Sequence, residues 1–353
     1  MVTIKKIAED ANVSVSTVSI VLGRRADQLK VSDATREKVL NSAKKLGYCR
    51  NLLASQMQSG KTRIFSFLAP EHNDYIMQIF SGVVHQAQQL GFYCRFYEIM
   101  QDPEESHRLY YEVLGMRPEA IILHAALPEC DYFLEQANAL GIPVACVDRI
   151  PKKPVQVAVV SDSIEGTVKM VDYLYTMGHR RIGYVSHPMN RWEFARLRRQ
   201  GFIQGMKKHH CRIVPEWNLD QPEQLEEYLK KIRTAPDSMP TAVCCFSDFI
   251  ALELMMKAQR LGISIPEDLS VMGYGALRFC DSMSPGLVSM DQHFFELGQK
   301  AALLIHDSLS RKNNDPVVQT VPPSIHAGES VGRPPGSSAS GVPSERKRRR
   351  TGN

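Results

Sequence analysis

Along the first 48 residues, apolar positions recur at helical spacing in three short runs separated by polar turns. Ile4, Ile7, Ala8 and Ala11 fall at i, i+3, i+4 and i+7, which predicts a helix with one narrow apolar face, N-capped by Thr3. Asn12 stands where the chain must turn sharply, and asparagine tolerates the left-handed backbone better than most residues. Ser14 then caps a second helix. Its Val18, Val21 and Leu22 point back to the core, leaving Val15, Ser16, Thr17, Ser19 and Ile20 outward. A third helix, capped by Ser32, closes the core with Val39, Ala43 and Leu46 and stops at Gly47. Two short helices around a tight turn, the second with small outward side chains, read as a helix-turn-helix able to sit deep in a major groove.

From residue 63 the texture changes. Short apolar runs at 64–69, 93–98, 120–124, 144–148 and 157–161 read as buried strands, with helical segments such as 76–90 and 130–140 between them. A second set follows: strand 181–186, helices 192–209 and 224–235, strand 241–246, helix 249–261 and strand 269–274. Strands alternating with helices at this spacing predict parallel sheets built from right-handed crossovers, and two sets predict two lobes.

Charge changes the picture more than composition does. The whole chain carries +5, but residues 1–62 carry +6 and residues 331–353 carry +5, which leaves −6 for residues 63–330. Basic ends on an acidic body point to a polyanion held at the ends. No apolar run approaches a membrane span and the first helix is too polar for a secretory signal, so a cytoplasmic protein is expected. The eight cysteines are scattered without metal-ligand spacing, so idle thiols in a reducing compartment are expected, with no metal and no cofactor.

Enzymatic readings find little support. Ser59-Gly60-Lys61-Thr62 imitates the end of a phosphate-binding loop, but Ser55 occupies the place of its first glycine and no strand precedes it. His209, His210 and Cys211 are sequence neighbours that do not converge on one face of a helix, and no Gly-x-Ser-x-Gly elbow is present.

The stretches TIKKIAEDANVSVSTVS, VSDATREKVLNSAKKLGY and NLLASQMQSGKT are followed in order by LGIPVACVDR, YTMGHRRIGYVS, RLRRQGF, GISIPEDLSVMGY and PPSIHAGES. Together they resemble the lactose repressor (LacI) family over nearly all of residues 3–330. The resemblance implies an α/β protein: an N-terminal all-α helix-turn-helix DNA-binding domain (1–48), a hinge helix or linker (49–62), and a two-lobed periplasmic-binding-protein-like core of doubly wound parallel sheets (63–330). Lobe 1 would take 63–161 and 292–321, and lobe 2 would take 162–291 and 322–330, with crossings near Asp162, Asp291 and Val321. Residues 331–353, rich in Pro, Gly and Ser, are expected to form a disordered basic tail that adds phosphate contacts, and Gly332-Arg333-Pro334 resembles the core of a minor-groove AT-hook.

The function so implied is a sequence-specific transcriptional regulator, a repressor, acting as a homodimer on double-stranded operator DNA and modulated by a small-molecule effector in the interlobe cleft. The apolar heptads that would join two dimers are absent. Two alternatives are a cytoplasmic sugar-like solute-binding protein and a regulator whose degenerate cleft is controlled by a partner-protein corepressor. Carried over by position, the DNA contacts are Thr3, Ser14, Val15, Ser16, Thr17, Ser19, Ile20, Arg24, Thr35 and Arg36, with Asn51, Ala54, Gln56 and Met57 from the hinge. Met57 would be the apolar wedge in the minor groove. The effector contacts are Asn73, Asp148, Arg149, Asp162, Arg198, Ser247 and Asp248. Gly275 and Ala276 stand where the family usually places an acidic pair, and Ser247 where Asn is common, so weaker binding of polyols is expected.

Overall fold

Three helices form where the apolar periodicity places them: α1 (Ile4–Ala11), α2 (Val15–Leu22) and α3 (Asp33–Lys45). The computed structural model describes residues 2–23, 31–49, 61–99, 102–124, 129–186, 193–310 and 315–336. The chain divides into two units, Met1–Thr62 and Arg63–Asn353. In the first, Ile7, Ala8, Val18, Val21, Val39 and Ala43 make the core, with Leu22 and Leu46 partly buried against it. Asn12 takes the left-handed conformation at φ 50°, and the Ser14 and Ser32 hydroxyls accept from Thr17 N and Thr35 N. Thr3 departs from expectation. Its carbonyl starts α1 by accepting from Lys6 N and Ile7 N, but its hydroxyl makes no capping bond.

The second unit contains two six-stranded sheets. The first has the order β11 (Val317–Val321), β5 (Val157–Ser161), β4 (Val144–Val147), β3 (Ala120–His124), β1 (Ile64–Ala69), β2 (Tyr93–Glu98). The second runs β12 (Ser324–His326), β10 (Val288–Asp291), β9 (Ser270–Gly275), β8 (Ala242–Cys245), β6 (Ile182–Val185), β7 (Asn218–Leu219). Pairing is parallel except between β10 and β12. The central strands are buried on both faces because helices cover both, and alternate residues serve opposite cores. Phe65, Phe67, Ala120 and Ile122 join one cluster, and Leu68, Ile121, Leu123 and Cys146 join another with Tyr110 and Phe133. β2 is a correction to the reading of 93–98 as a buried strand: as an edge strand it leaves Tyr93, Arg95 and Glu98 exposed.

Helix packing records where the chain changes sheets. After β5 the chain enters α7 (Ser163–Thr176), which packs against α8 (Glu193–Lys208) beside the second sheet. After β10 it enters α11 (Phe294–Ser308), which packs against α4 (Asp74–Gln89) beside the first. That last contact brings backbones together: a Cβ at Gly298 would fall on the Ile79 carbonyl, and one at Gly82 on the Phe295 carbonyl. α5 (Pro103–Gly115) and α6 (Cys130–Ala139) cover the other face of the first sheet, while α9 (Leu225–Thr234) and α10 (Asp248–Arg260) complete the second lobe. No helix among the described residues is long and apolar enough to cross a membrane.

The folded chain continues past Ser330. The Ser330 hydroxyl donates to Val271 O (2.6 Å) and accepts from Val288 N (2.9 Å), and Gly332 N donates to Ser270 Oγ (3.0 Å). His179 is fully buried, with Nε2 3.0 Å from the Gly332 carbonyl and Nδ1 2.9 Å from Thr241 Oγ1. Burial pushes its imidazole below the usual value. The tail boundary at 331 is therefore several residues too early. Gly332 packs on Pro266 and Pro334 lies against Gly178, so Gly332-Arg333-Pro334 is part of the folded surface and not a free AT-hook.

Candidate functional site

On the first unit, Val15, Ser16 and Ser19 are exposed along α2, but Thr17 and Ile20 are half-buried, a partial correction to the outward face. Ser14 Oγ is a local hub, 2.7 Å from Ser16 Oγ and 2.8 Å from Thr17 Oγ1. A hydroxyl has one donor and two acceptor sites, so Ser16 keeps capacity for a base edge while bonded to Ser14. At the start of α3, Thr35 Oγ1 lies 2.9 Å from Ser32 Oγ and Arg36 is half-buried, while Asp33 adds a negative charge that opposes a phosphate there. Arg24, Asn51, Ala54, Gln56 and Met57 lie outside the described residues.

In the second unit, chemistry gathers where the carboxyl ends of the two sheets face each other. Arg198 of α8 is buried with its guanidinium 3.8 Å from the Tyr274 ring centroid and 4.7 Å from that of Phe246. Its Nη1 donates to the Phe246 carbonyl (2.7 Å) and its Nη2 to Gln292 Oε1 (3.2 Å), while Nε is buried without a partner among the described residues. From the first sheet come His124 and Asp148, with His124 Nε2 3.6 Å from Asp148 Oδ2, and Tyr75, whose ring lies 5.7 Å from that of His124. Burial alone would raise the Asp148 carboxyl. The His124 imidazole and the charges of Arg198 and Arg149 outweigh it and hold the carboxyl below the usual value. Besides Arg198 Nε, the hydroxyl of Ser161 at the end of β5 is buried without a partner among the described residues.

The effector residues expected from the sequence divide. Asp148, Arg149 and Arg198 form one electrostatic group. Asn73 caps α4, accepting from Ile76 N while donating to Glu71. Asp162 caps α7 through Ile164 N and Glu165 N, and Ser247 caps α10 through Ile250 N. These caps bring three helix amino ends, which favour negative charge, to the carboxyl edges of the sheets. Asp248 goes elsewhere. Its carboxylate is fully buried, accepting from Ser289 Oγ (2.5 Å) and Leu277 N (2.8 Å), and burial raises its pKa. It braces the corner at Gly275 and Ala276, both at positive φ, and offers nothing to a ligand.

His124, Tyr75, Phe246, Tyr274 and Gln292 were not read from the sequence. A signal existed for three of them, since His124, Phe246 and Tyr274 fall at the carboxyl ends of strands, where sheets of this kind bind ligands. A separate groove of about 770 Å³, on the outer edge of the second sheet beside Trp217 and Tyr228, contains none of the expected residues.

Residues 3–51 match the bacterial regulatory proteins of the lacI family, and residues 171–331 match the periplasmic binding protein-like domain. The chain is 27% identical over 336 residues to the HTH-type transcriptional repressor PurR of Pasteurella multocida (strain Pm70), covering 94% of this chain and 99% of that one. It is 26% identical over 313 residues to the HTH-type transcriptional repressor CytR of Escherichia coli (strain K12), covering 87% and 89%. The structure of the Lac repressor dimer bound to operator and the anti-inducer ONPF shares the fold, with a TM-score of 0.74 at 22% identity over 94% of this chain and 99% of that chain. The helix-turn-helix and the two-sheet core thus define a DNA-binding transcriptional regulator with a periplasmic-binding-protein-like domain. The helix-turn-helix is that of the lacI family of bacterial regulatory proteins, joined to a periplasmic-binding-protein-like core.

Proposed function

We propose that the chain represses transcription in the cytoplasm by binding a near-palindromic operator as a homodimer, with its affinity set by a small molecule held between the two sheets of the core. Arg198 carries this reading. It is anchored in the second lobe, its field reaches Asp148 in the first, and its Nε has no partner among the described residues. A ligand that pairs with it touches both lobes and so binds their alternative arrangements with different affinity, which is what couples the cleft to DNA binding. Support for a homodimer comes from α10, where Phe249 and Met256 lie seven residues apart with about half of each exposed. Two-fold symmetry matches two half-sites.

The effector is not a simple hexose in this reading. Asp248 is engaged internally and Gly275 and Ala276 carry no acceptor, so buried sugar hydroxyls would lack partners. The two internal bonds of Arg198 also favour a second reading, in which the cleft is self-satisfied and a partner protein acts as corepressor. Selection of bound duplexes from random DNA, followed by a metabolite screen against the enriched site, tests both. A two-fold site whose binding responds to one metabolite class supports the first reading. An enriched site indifferent to every metabolite supports the second, and failure to enrich a two-fold site rejects both. Tight calorimetric binding of a simple hexose would overturn the inference about the effector.

A further inference from the structure

The sequence scatters its cysteines, but folding brings Cys130 and Cys146 into contact. Cys130 is the first residue of α6 and Cys146 the third of β4, and both are free thiols in the core beneath α5 and α6. α6 packs on β4, and the two side chains meet in a thiol–thiol hydrogen bond. A thiol is a weak donor and a weak acceptor, so that bond adds little to the fold. Cys244 and Cys245 differ: as consecutive residues of β8 they point to opposite faces of the sheet. The sulfurs of the contact pair are not equivalent. Cys130 keeps 8% exposure and heads a helix, whose amino end favours an anion, whereas Cys146 is fully buried. The bond from Cys146 lowers the Cys130 thiol against the effect of burial, with help from the Arg149 cation, while the same bond and burial raise Cys146 well above the usual thiol value. Burial raises the thiols of Cys94, Cys211, Cys244, Cys245 and Cys280, so Cys130 alone is lowered among the described cysteines whose values shift. Glu129 makes no side-chain capping bond, so no cap pins the first turn of α6 as the sulfurs close from hydrogen-bond contact to the ~2.05 Å of a disulfide.

We propose that Cys130 and Cys146 form a site of reversible oxidation, joined as a disulfide by a hydroperoxide such as hydrogen peroxide. The Cys130 thiolate attacks one peroxide oxygen and the O–O bond breaks. The departing hydroxide takes the proton that Cys130 gave up and leaves as water, and Cys130 becomes a sulfenic acid. The Cys146 sulfur then displaces the sulfenic hydroxyl, which leaves with the Cys146 proton as a second water while the S–S bond forms. Two thiols lose two electrons and one peroxide is reduced to two waters. A dithiol reductant reverses the bond by thiol–disulfide exchange. The link ties the start of α6 to β4 two residues before Asp148, at the edge of the cleft.

The test treats the full chain with hydrogen peroxide, blocks remaining thiols with iodoacetamide, and digests it without reduction using chymotrypsin, whose sites at Tyr132 and Phe133 separate the two cysteines. Mass spectrometry should find the Cys130 and Cys146 peptides linked, about 2 Da lighter than the two thiol peptides together and at least about tenfold more abundant than any other cysteine link. Dithiothreitol should restore both thiols. In Cys146→Ala, dimedone should trap a sulfenic acid at Cys130, and in Cys130→Ala, Cys146 should stay unoxidised. A link through any other cysteine in comparable yield overturns the proposal, as does oxidation of Cys130 that never joins it to Cys146. Dimedone on Cys146 in Cys130→Ala overturns the assignment of Cys130 as the attacking sulfur. The first measurement uses the unaltered chain, so it decides the matter even where a variant fails to fold.

Discussion

The second helix of the DNA-binding domain and the interlobe cleft solve opposite problems with polar side chains. In α2 the hydroxyl bonds are local: Ser14 reaches Ser16 and Thr17, two and three residues away. In the cleft the bonds are long-range. Arg198 reaches Phe246 and Gln292, 48 and 94 residues away, and behind it in the core of the second lobe Asp248 reaches Leu277 and Ser289, 29 and 41 residues away. A surface that meets a polymer from outside needs a self-contained helix whose side chains stay in water. A site that senses a small molecule and moves two lobes must bury charge, and buried charge is tolerated only where distant segments supply partners.

The contrast can be broken by substitution. The largest effect should come from Asp248→Ala, which leaves Leu277 N and Ser289 without their acceptor and should lower stability to urea by about 3 kcal/mol; a loss no larger than at an exposed site would show that the corner does not depend on it. Arg198→Lys keeps the charge but not the planar fork. It should weaken the effector found in the metabolite screen about thirtyfold, or about 2 kcal/mol, with ligand-free operator affinity retained. Unchanged ligand affinity would return Arg198 to a purely structural role. In the proposed operator complex, apolar contacts from Val15 and Ile20 with one Ser16 bond would supply little direct readout, and more discrimination should come from Met57 of the hinge segment. Met57→Ala should therefore reduce operator preference by about 1 kcal/mol and Ser16→Ala by about half that. Competition binding against scrambled DNA checks this, and the reverse ranking would give the burden back to α2.

The smallest effect compares the cleft with the core behind it, where two aspartates shift in opposite directions. The Asp148 pKa is lowered, so its contribution to stability is complete above the unfolded carboxyl value near 4 and is lost as pH falls through the folded value. The Asp248 pKa is raised, so the folded state holds that proton to higher pH, and its contribution is present at low pH and lost as pH rises through the folded value. Asp148→Asn should flatten the pH dependence of the urea midpoint below pH 4, and Asp248→Asn should flatten it above. Identical profiles for the two variants would contradict the assigned environments.

Several roles were ambiguous in the sequence for a physical reason. A polar residue between a strand and a helix can cap the helix or meet a ligand, and Asn73, Asp162 and Ser247 satisfy the first description in the structure while standing at the edge that would serve the second. Asp248 follows Ser247 directly, yet points into the core because Gly273 leaves room for its carboxylate beside β9. Tyr75 carries no sign in the sequence that separates a cleft aromatic from a core aromatic. β2, YCRFYE, carries Arg95 and Glu98 where its neighbours carry no charge, and as an edge strand with no strand on one flank it leaves both exposed.

What the sequence by itself determined was local: the starts and stops of α1, α2 and α3, the alternation of strands and helices, and the motifs that mark a lacI-family regulator. Those depend on residues within a turn or two of one another, where periodicity and capping act. The tertiary structure alone decided which buried polar groups pair, which sheet edge stays open, and that residues 331–334 dock beside Ser270 and His179 on the second lobe. Desolvation sets those outcomes, because a buried charge or amide must bond to whatever the fold brings beside it, from any distance along the chain.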